Sequence, residues 1–235
     1  MAPRDTAVLR PSARARPPRA ARPGPSTGGR TRQKNEGLIL EAAEAVFAET
    51  GFNGASMQAI ARRAGLPKAN IHYYFGTKEG LYVSLLNRIL DEWVEGSLGH
   101  IRAGADPAAA LAAYVAEKID WSRRRPLASK VFANEVIHGA RQIMPYLTGK
   151  LRQTVADKVA VIDGWAAAGR IAPVDGLHLI LSLWAMTQTY ADFEAQIGAV
   201  TGKDSLDRAD FDRATAHVTA MALAVCGLAP SGGSR

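Results

Sequence analysis

Lys68, Asn70, His72, Tyr73 and Tyr74 fall within seven consecutive residues, and Lys78 follows shortly after. Their side chains share one kind of chemistry. Lysine ammonium groups and tyrosine hydroxyls suit phosphate oxygens, while an asparagine amide and a histidine ring can reach the edges of bases. Ile71 and Phe75 are four apart and form the inner edge of a short helix over residues 68–75. Lys68, Ala69, Asn70, His72, Tyr73 and Tyr74 are left for its outer side. The competing reading makes the tyrosines ordinary half-buried aromatics and leaves Asn70 and His72 merely solvated.

The flanking residues are those needed to hold such a helix in place. Ser56 can accept from the free N–H groups of a preceding helix whose apolar stripe is Met57, Ile60 and Ala61. Arg62 and Arg63 suit the C-terminal end of that helix dipole. Gly65 can end it in the left-handed conformation, Leu66 is the expected buried residue of the turn, and Pro67 fits the first position of the next helix. Thr77 then caps a third helix, whose free N–H groups, with Lys78, can hold a phosphate. Two short helices joined by a glycine-containing turn of three or four residues make a helix-turn-helix, so the expected partner is DNA. On this reading Ser56, Lys68, Ala69, Asn70, His72, Tyr73, Tyr74 and Lys78 are the DNA-contacting residues.

The rest of the chain reads as helix throughout, with no alternating strand pattern and no repeat. Leu38, Ile39, Ala42, Val46 and Phe47 mark a first helix that ends at Gly51. A long helix from Thr77 passes Leu81, Leu85, Ile89 and Trp93, with Gly96 and Gly99 at its end. Further helices follow Asp106-Pro107, run over residues 127–140, and extend from Pro145 to near Gly169. Two more cover residues 174–200 and 206–227. The expected fold class is all-α: a three-helix DNA-binding domain over 33–83, a helical ligand-binding and dimerisation domain over 84–228, and a flexible tail over 229–235. The boundary falls inside the helix after Thr77, which couples the two parts mechanically.

Residues 1–32 hold eight arginines, one acid and six of the twelve prolines. The net charge of +7 therefore resides there, and residues 33–235 are neutral. Such a segment buries too little apolar surface to fold alone. A flexible arm following phosphates or entering a minor groove, a passive extension, and a true start further in are the competing readings; the favoured one is a disordered arm with weak nonspecific DNA affinity. Apolar residues make up 47% of the chain, enough for a core. A single cysteine, Cys226, excludes an internal disulfide framework and suits a reducing cytoplasm. No apolar run reaches the length of a membrane span.

A second segment carrying chemistry lies at 178–203. Leu177, Leu181, Trp184 and Gln188 recur at helical spacing down one face. A glutamine on an apolar face must find partners or destabilise the fold, and a ligand amide can supply them to its one acceptor oxygen and two donor hydrogens. Trp184 offers a flat wall, and Trp93 at the far end of the long helix offers another. The alternative is a dimer interface with a buried glutamine pair. Phe211, Ala214, Val218, Met221 and Val225 form a packing stripe, read either as a dimer seam or as monomer core. Glu135 and His138, three apart, are weak grounds for a metal site. No phosphate-binding glycine loop, nucleophile elbow or zinc-site spacing is present, so neither an enzyme nor a cofactor is expected. An architectural DNA-binding protein without a ligand is the other rival.

The run AIARRAGLPKANIHYYFGTKEGLY, with NEGLILEAAEAVFAETGFNGAS upstream, resembles the DNA-binding domain of the TetR family of one-component transcriptional regulators. The resemblance covers about residues 33–83. It implies a cytoplasmic homodimer joined through its two C-terminal helices, a palindromic operator, and an effector in the C-terminal domain that changes the spacing of the two reading helices. A narrower resemblance, to the pyrimidine-utilisation regulators within that family, extends over about residues 33–202. WAMTQTYADF followed by AVTG, the helix ending RILDEW, and DGW followed by GRIAPVD carry it. It implies a repressor that binds uracil or thymine and then releases DNA, with Trp93, Trp184 and Gln188 touching the base. The chain departs from that pattern at NEVIHG, residues 134–139, which adds Asn134 and His138 as candidate lining residues and leaves an unrelated small hydrophobic ligand as the alternative.

Overall fold

The computed structural model describes residues 27–229, and every regular element among them is helical. The first helix, α1 (Thr27–Gly54), bends at Gly51, whose φ of 68° no β-carbon-bearing residue adopts easily. It begins inside the segment expected to be an arm. Residues 1–26 of that arm, and 230–235 of the expected tail, lie outside the described residues.

Three helices complete the N-terminal unit: α2 (Met57–Ala64), α3 (Lys68–Phe75) and α4 (Lys78–Gly96). Their ends follow from local chemistry. Ser56 Oγ accepts from the Ala59 N–H at 3.1 Å. Gly65 takes φ 66°, ψ 27°, and its N–H reaches back to the Ala61 and Arg62 carbonyls. Pro67 precedes α3 instead of forming its first turn, because its ψ of 141° is extended. Thr77 Oγ1 accepts from the Gly80 N–H at 3.0 Å and starts α4. Phe47, Ile60, Ile71, Leu81, Leu85 and Ile89 fill the core between these helices. Each such side chain contributes about 1.5–3 kcal/mol of burial free energy.

This core does not stop at the expected domain boundary. Ala128 and Val131, from α6 (Pro126–Ile137), pack into it together with Ala140 and Ile143. The remaining helices are α5 (Pro107–Arg124), the short α7 (Met144–Tyr146) that passes through a π turn into α8 (Arg152–Ala167), α9 (Gly176–Asp192), α10 (Glu194–Thr201) and α11 (Arg208–Val225). A 3-10 turn, Ser97–His100, follows α4. The centre of the C-terminal part is α5, packed between α9 and α11 around Tyr114, Val115, Ile119, Ile180, Leu183 and Val218.

Three expectations change. The helix expected over 174–200 breaks at Phe193 (φ −115°, ψ 29°). Two bonds from α6 hold the break: Ser129 Oγ donates to Asp192 at 2.5 Å, and Lys130 pairs with Glu194 at 2.9 Å. The helix expected over 127–140 ends at Ile137, because Gly139 and Ala140 turn to φ 96° and 53°. The stripe on α11 divides. Ala214 and Val218 are buried and Phe211 packs on the monomer core, whereas Met221 and Val225 stay exposed. Cys226 is buried, and burial pushes its thiol pKa up. No helix among the described residues is long and apolar enough to cross a membrane.

Candidate DNA-reading surface and effector cavity

The helix-turn-helix presents one polar face. Lys68, Ala69, His72 and Tyr73, at i, i+1, i+4 and i+5 on α3, are exposed, opposite the buried Ile71. Tyr73 stands 75% exposed, which no packing requirement explains for an aromatic side chain. His72 Nδ1 donates to the Gly76 carbonyl at 2.8 Å, so the ring is held and its Nε2 is left for another partner. Asn70 is half-buried. Ser56 is exposed at the start of α2, its oxygen engaged as the cap.

Two of the expected contacts are engaged within the protein. Tyr74 is half-buried; its hydroxyl accepts from Asn35 Nδ2 at 3.3 Å, and Arg32 lies 5.9 Å from its ring centroid. It fastens α3 to α1. Lys78 is turned inward: its ammonium donates to the Phe52 and Ala55 carbonyls at 2.8 and 3.1 Å and sits 4.5 Å over the Phe52 ring. A cation there satisfies the carbonyls left over where α1 ends. Its charge is spent on the loop, so the expected Lys78–phosphate contact is replaced by a structural one.

The second site is a small cavity of about 50 Å³ at the distal end of α4. Trp93, Val94 and Leu90 come from α4, Trp184 and Gln188 from α9, Phe132 from α6 and Lys118 from α5. The walls are apolar and aromatic; Phe132 meets Trp93 edge-on at 5.0 Å. Against them stand three polar groups with no hydrogen-bond partner among the described residues. Trp93 Nε1 is sealed from solvent without an acceptor. The Gln188 amide makes no hydrogen bond. The Lys118 ammonium lies 4.4 Å over the Trp93 ring, in a residue 4% exposed. Burial lowers the Lys118 pKa to about 8, with the charge of Asp192 acting in the opposite direction.

Trp93, Trp184 and Gln188, which the sequence leads one to group, meet at this one cavity, and Lys118 and Phe132 join them there unannounced. A signal for the lysine existed: Leu111, Tyr114 and Lys118 follow the buried period of α5, so position 118 belongs to the inner face. Asn134 and His138 do not reach the cavity. They line a separate cleft with Phe52, Tyr82, Glu135 and Arg141, between the end of α1, α4 and α6. The reason is helical phase: Phe132 faces the cavity, and residues two and six positions on are turned away from it. Asn134 also borders a shallow cleft that shares Phe132 and Gln188 with the cavity. The Glu135–His138 pair is occupied internally. Glu135 Oε1 accepts from the Gln142 N–H at 2.8 Å, and His138 Nδ1 donates to the Asn134 carbonyl at 2.7 Å. No group of three metal-ligating side chains occurs among the described residues.

One ionic cluster links the cavity to the DNA-binding unit. Arg125, where α5 meets α6, pairs with Glu44 of α1 and, at 3.2 Å, with Glu92 of α4. Lys118 lies two turns before it on α5. Ser122 Oγ, between them, donates to the Thr187 carbonyl of α9 at 2.9 Å. The helix that contacts the cavity is thus tied at its far end to both α1 and α4.

Residues 39–85 match bacterial regulatory proteins of the tetR family, and residues 86–229 match the C-terminal region of YcdC-like proteins. The chain is 40% identical over 195 residues to the HTH-type transcriptional regulator RutR of Escherichia coli K12, covering 82% of this chain and 92% of that protein. It is 34% identical over 114 residues to the HTH-type transcriptional repressor NicS of Pseudomonas putida, covering 48% of this chain and 54% of that protein. Among solved structures, AibR in complex with isovaleryl coenzyme A and operator DNA superposes with a TM-score of 0.63 at 20% identity, over 83% of this chain and 98% of that one. A TetR family regulator from Marinobacter aquaeolei VT8 gives 0.61 at 20%, over 81% and 96%. At that identity the two structures establish the shared fold.

Proposed function

This chain belongs to the TetR family of bacterial transcriptional regulators, which are DNA-binding proteins and not enzymes, and we propose that it is a homodimeric repressor releasing a palindromic operator when uracil or thymine enters the cavity at the end of α4. The observation that carries this reading is the convergence of Gln188, Lys118 and Trp93 on one apolar space. Trp93 Nε1 and the Lys118 ammonium are costly to bury without hydrogen-bond partners, and the half-buried Gln188 amide beside them has none among the described residues. A flat ring with N–H and C=O groups side by side along its edge supplies donor and acceptor to an amide and a carbonyl oxygen to a cation.

The signal path follows from where the cavity lies. Gly80 and Trp93 sit on one rigid helix, 13 residues apart, or about 20 Å. The N-terminal end of α4 packs on α3. A ligand drawing Trp93 toward α9 tilts α4 and shifts α3, and in a dimer this changes the distance between two readers that must match half-sites about 34 Å apart. The ligand acts only through unequal affinity for the two arrangements.

Gln188→Ala removes the amide. The pyrimidine concentration for half-release of operator is expected to rise about tenfold or more, from the loss of one or two hydrogen bonds. Titrating uracil into the protein–operator complex and following fluorescence anisotropy checks it; an unchanged midpoint overturns the pyrimidine reading.

The dimer is assigned to the apolar side chains the monomer leaves exposed on its last long helices. Leu177 and Leu181 of α9 are 43% and 42% exposed, and Met221 and Val225 of α11 are 44% and 59%. These helices pack on each other, so each subunit offers two to a four-helix seam. A Leu181→Glu, Met221→Glu variant should run as a monomer in size-exclusion chromatography. Its affinity for a palindrome should fall about a hundredfold, because two half-sites are no longer linked. A variant that stays dimeric places the seam elsewhere.

A further inference from the structure

We infer that the cavity is built for an anionic ring: the effector is a flat heterocycle that presents a negatively charged oxygen to the Lys118 ammonium while its face lies on Trp93 or Trp184. This deepens the pyrimidine reading and rests on it for the shape of the ring.

The decisive group is Lys118. Lysines are almost never fully buried unless paired. This one is 96% buried by its 4% exposure, lines the cavity, and has no hydrogen bond or ion pair among the described residues. Its compensation is incomplete. The Trp93 ring face at 4.4 Å attracts the cation. Asp192 of α9 acts on it through space, but that carboxylate already accepts from Ser129 Oγ and shares its field with Lys130 of α6. A cation left in this state gains most from a ligand that brings the missing charge, since a charge-assisted hydrogen bond is about twice as strong as a neutral one.

The rest of the cavity limits what kind of anion fits. The walls from Leu90, Val94, Leu98, Phe132 and Leu151 are apolar, so a strongly hydrated ion such as phosphate would lose its water without replacement. The Gln188 amide offers a further site to a ligand that carries a donor and an acceptor side by side. A delocalised ring anion meets all these conditions. It arises either from a cyclic imide that has lost its N–H proton or from a ring carboxylate.

Calorimetric titration of the full-length protein at neutral pH tests this with five ligands: uracil and thymine as neutral rings, barbiturate as an imide anion, orotate as a ring carboxylate, and benzoate as an anionic ring that is not a pyrimidine. At least one anion is expected to bind about tenfold tighter than uracil, and which one separates the two sources. In Lys118→Met the preference should vanish, with the anion losing about a hundredfold and uracil about tenfold or less. Lys118→Arg keeps the charge and should retain the order, which separates charge from packing. If uracil and thymine bind at least as tightly as barbiturate and orotate, or Lys118→Met weakens neutral and anionic rings equally, the inference is overturned and the pyrimidine reading stands. If no pyrimidine binds but benzoate does so through Lys118, the anion site stands and the pyrimidine reading falls. If none of these ligands binds, both fall.

Discussion

Replacing Gly80 with alanine is expected to weaken operator binding by about a hundredfold while leaving the C-terminal domain folded. A β-carbon at position 80 would lie 2.5 Å from the Phe75 carbonyl oxygen. That oxygen is backbone, at the last residue of α3, and cannot rotate away. Either α3 or α4 must move. Overpacking of this kind costs about 1–3 kcal/mol of stability. The greater effect is geometric, because Lys68, His72 and Tyr73 ride on α3 and every contact they make depends on its seating. Misplacing two such contacts, at about 1–3 kcal/mol each, gives the hundredfold loss. Gly37→Ala is the control, since a β-carbon there meets nothing within 4 Å. Anisotropy titration of labelled operator, with circular dichroism to confirm helix content, checks the pair. Gly80→Ala binding within threefold of the parent would show that α3 is not positioned by this contact.

Arg125→Met is expected to lower global stability by about 3 kcal/mol. Arg125 is the partner of Glu44, whose side chain is 11% exposed, and it also engages Glu92. Methionine replaces the aliphatic stem but leaves Glu44 as a nearly buried, uncompensated carboxylate. The deficit belongs to that stranded charge more than to the lost attraction. Glu44→Gln in the Arg125→Met background should therefore recover part of the loss, because an amide needs no counter-ion. Chemical denaturation of the two variants decides it; additive losses would mean that the ion pair holds no special place. The same change should blunt the effector response, since Arg125 is where α5, leaving the cavity, grips both α1 and α4. In Arg125→Met, ligand should bind the cavity yet release less operator.

The residues that form the helix-turn-helix were legible without a structure. Ser56, Gly65 and Thr77 act through bonds to residues three or four positions away, and such short-range chemistry depends little on the rest of the fold. The pairing of Trp184 with Gln188 was legible for the same reason, as one turn of one helix. The inward turn of Lys78 is not legible in sequence, because its destination lies more than twenty residues away, at the Phe52 and Ala55 carbonyls. Nor is the place of His138, because the phase of α6, and the early end of that helix at Ile137, decide which side of it faces the cavity.

Local sequence alone determined an all-helical chain, a DNA-reading motif near one end, and a long helix joining that motif to a second domain. Caps, turn glycines and the 3.6-residue period all operate within a turn or two, so they can be read in order along the chain. Only the tertiary structure decided what covers each face. It turned Phe211, Ala214 and Val218 onto the monomer core and left Met221 and Val225 bare, although all five share one stripe. It also brought Lys118, Trp93 and Gln188, from three helices, to one largely apolar cavity. A helical period states that a side chain faces inward; whether it meets a methyl group, a ring or an unpaired charge depends on which other helix packs there.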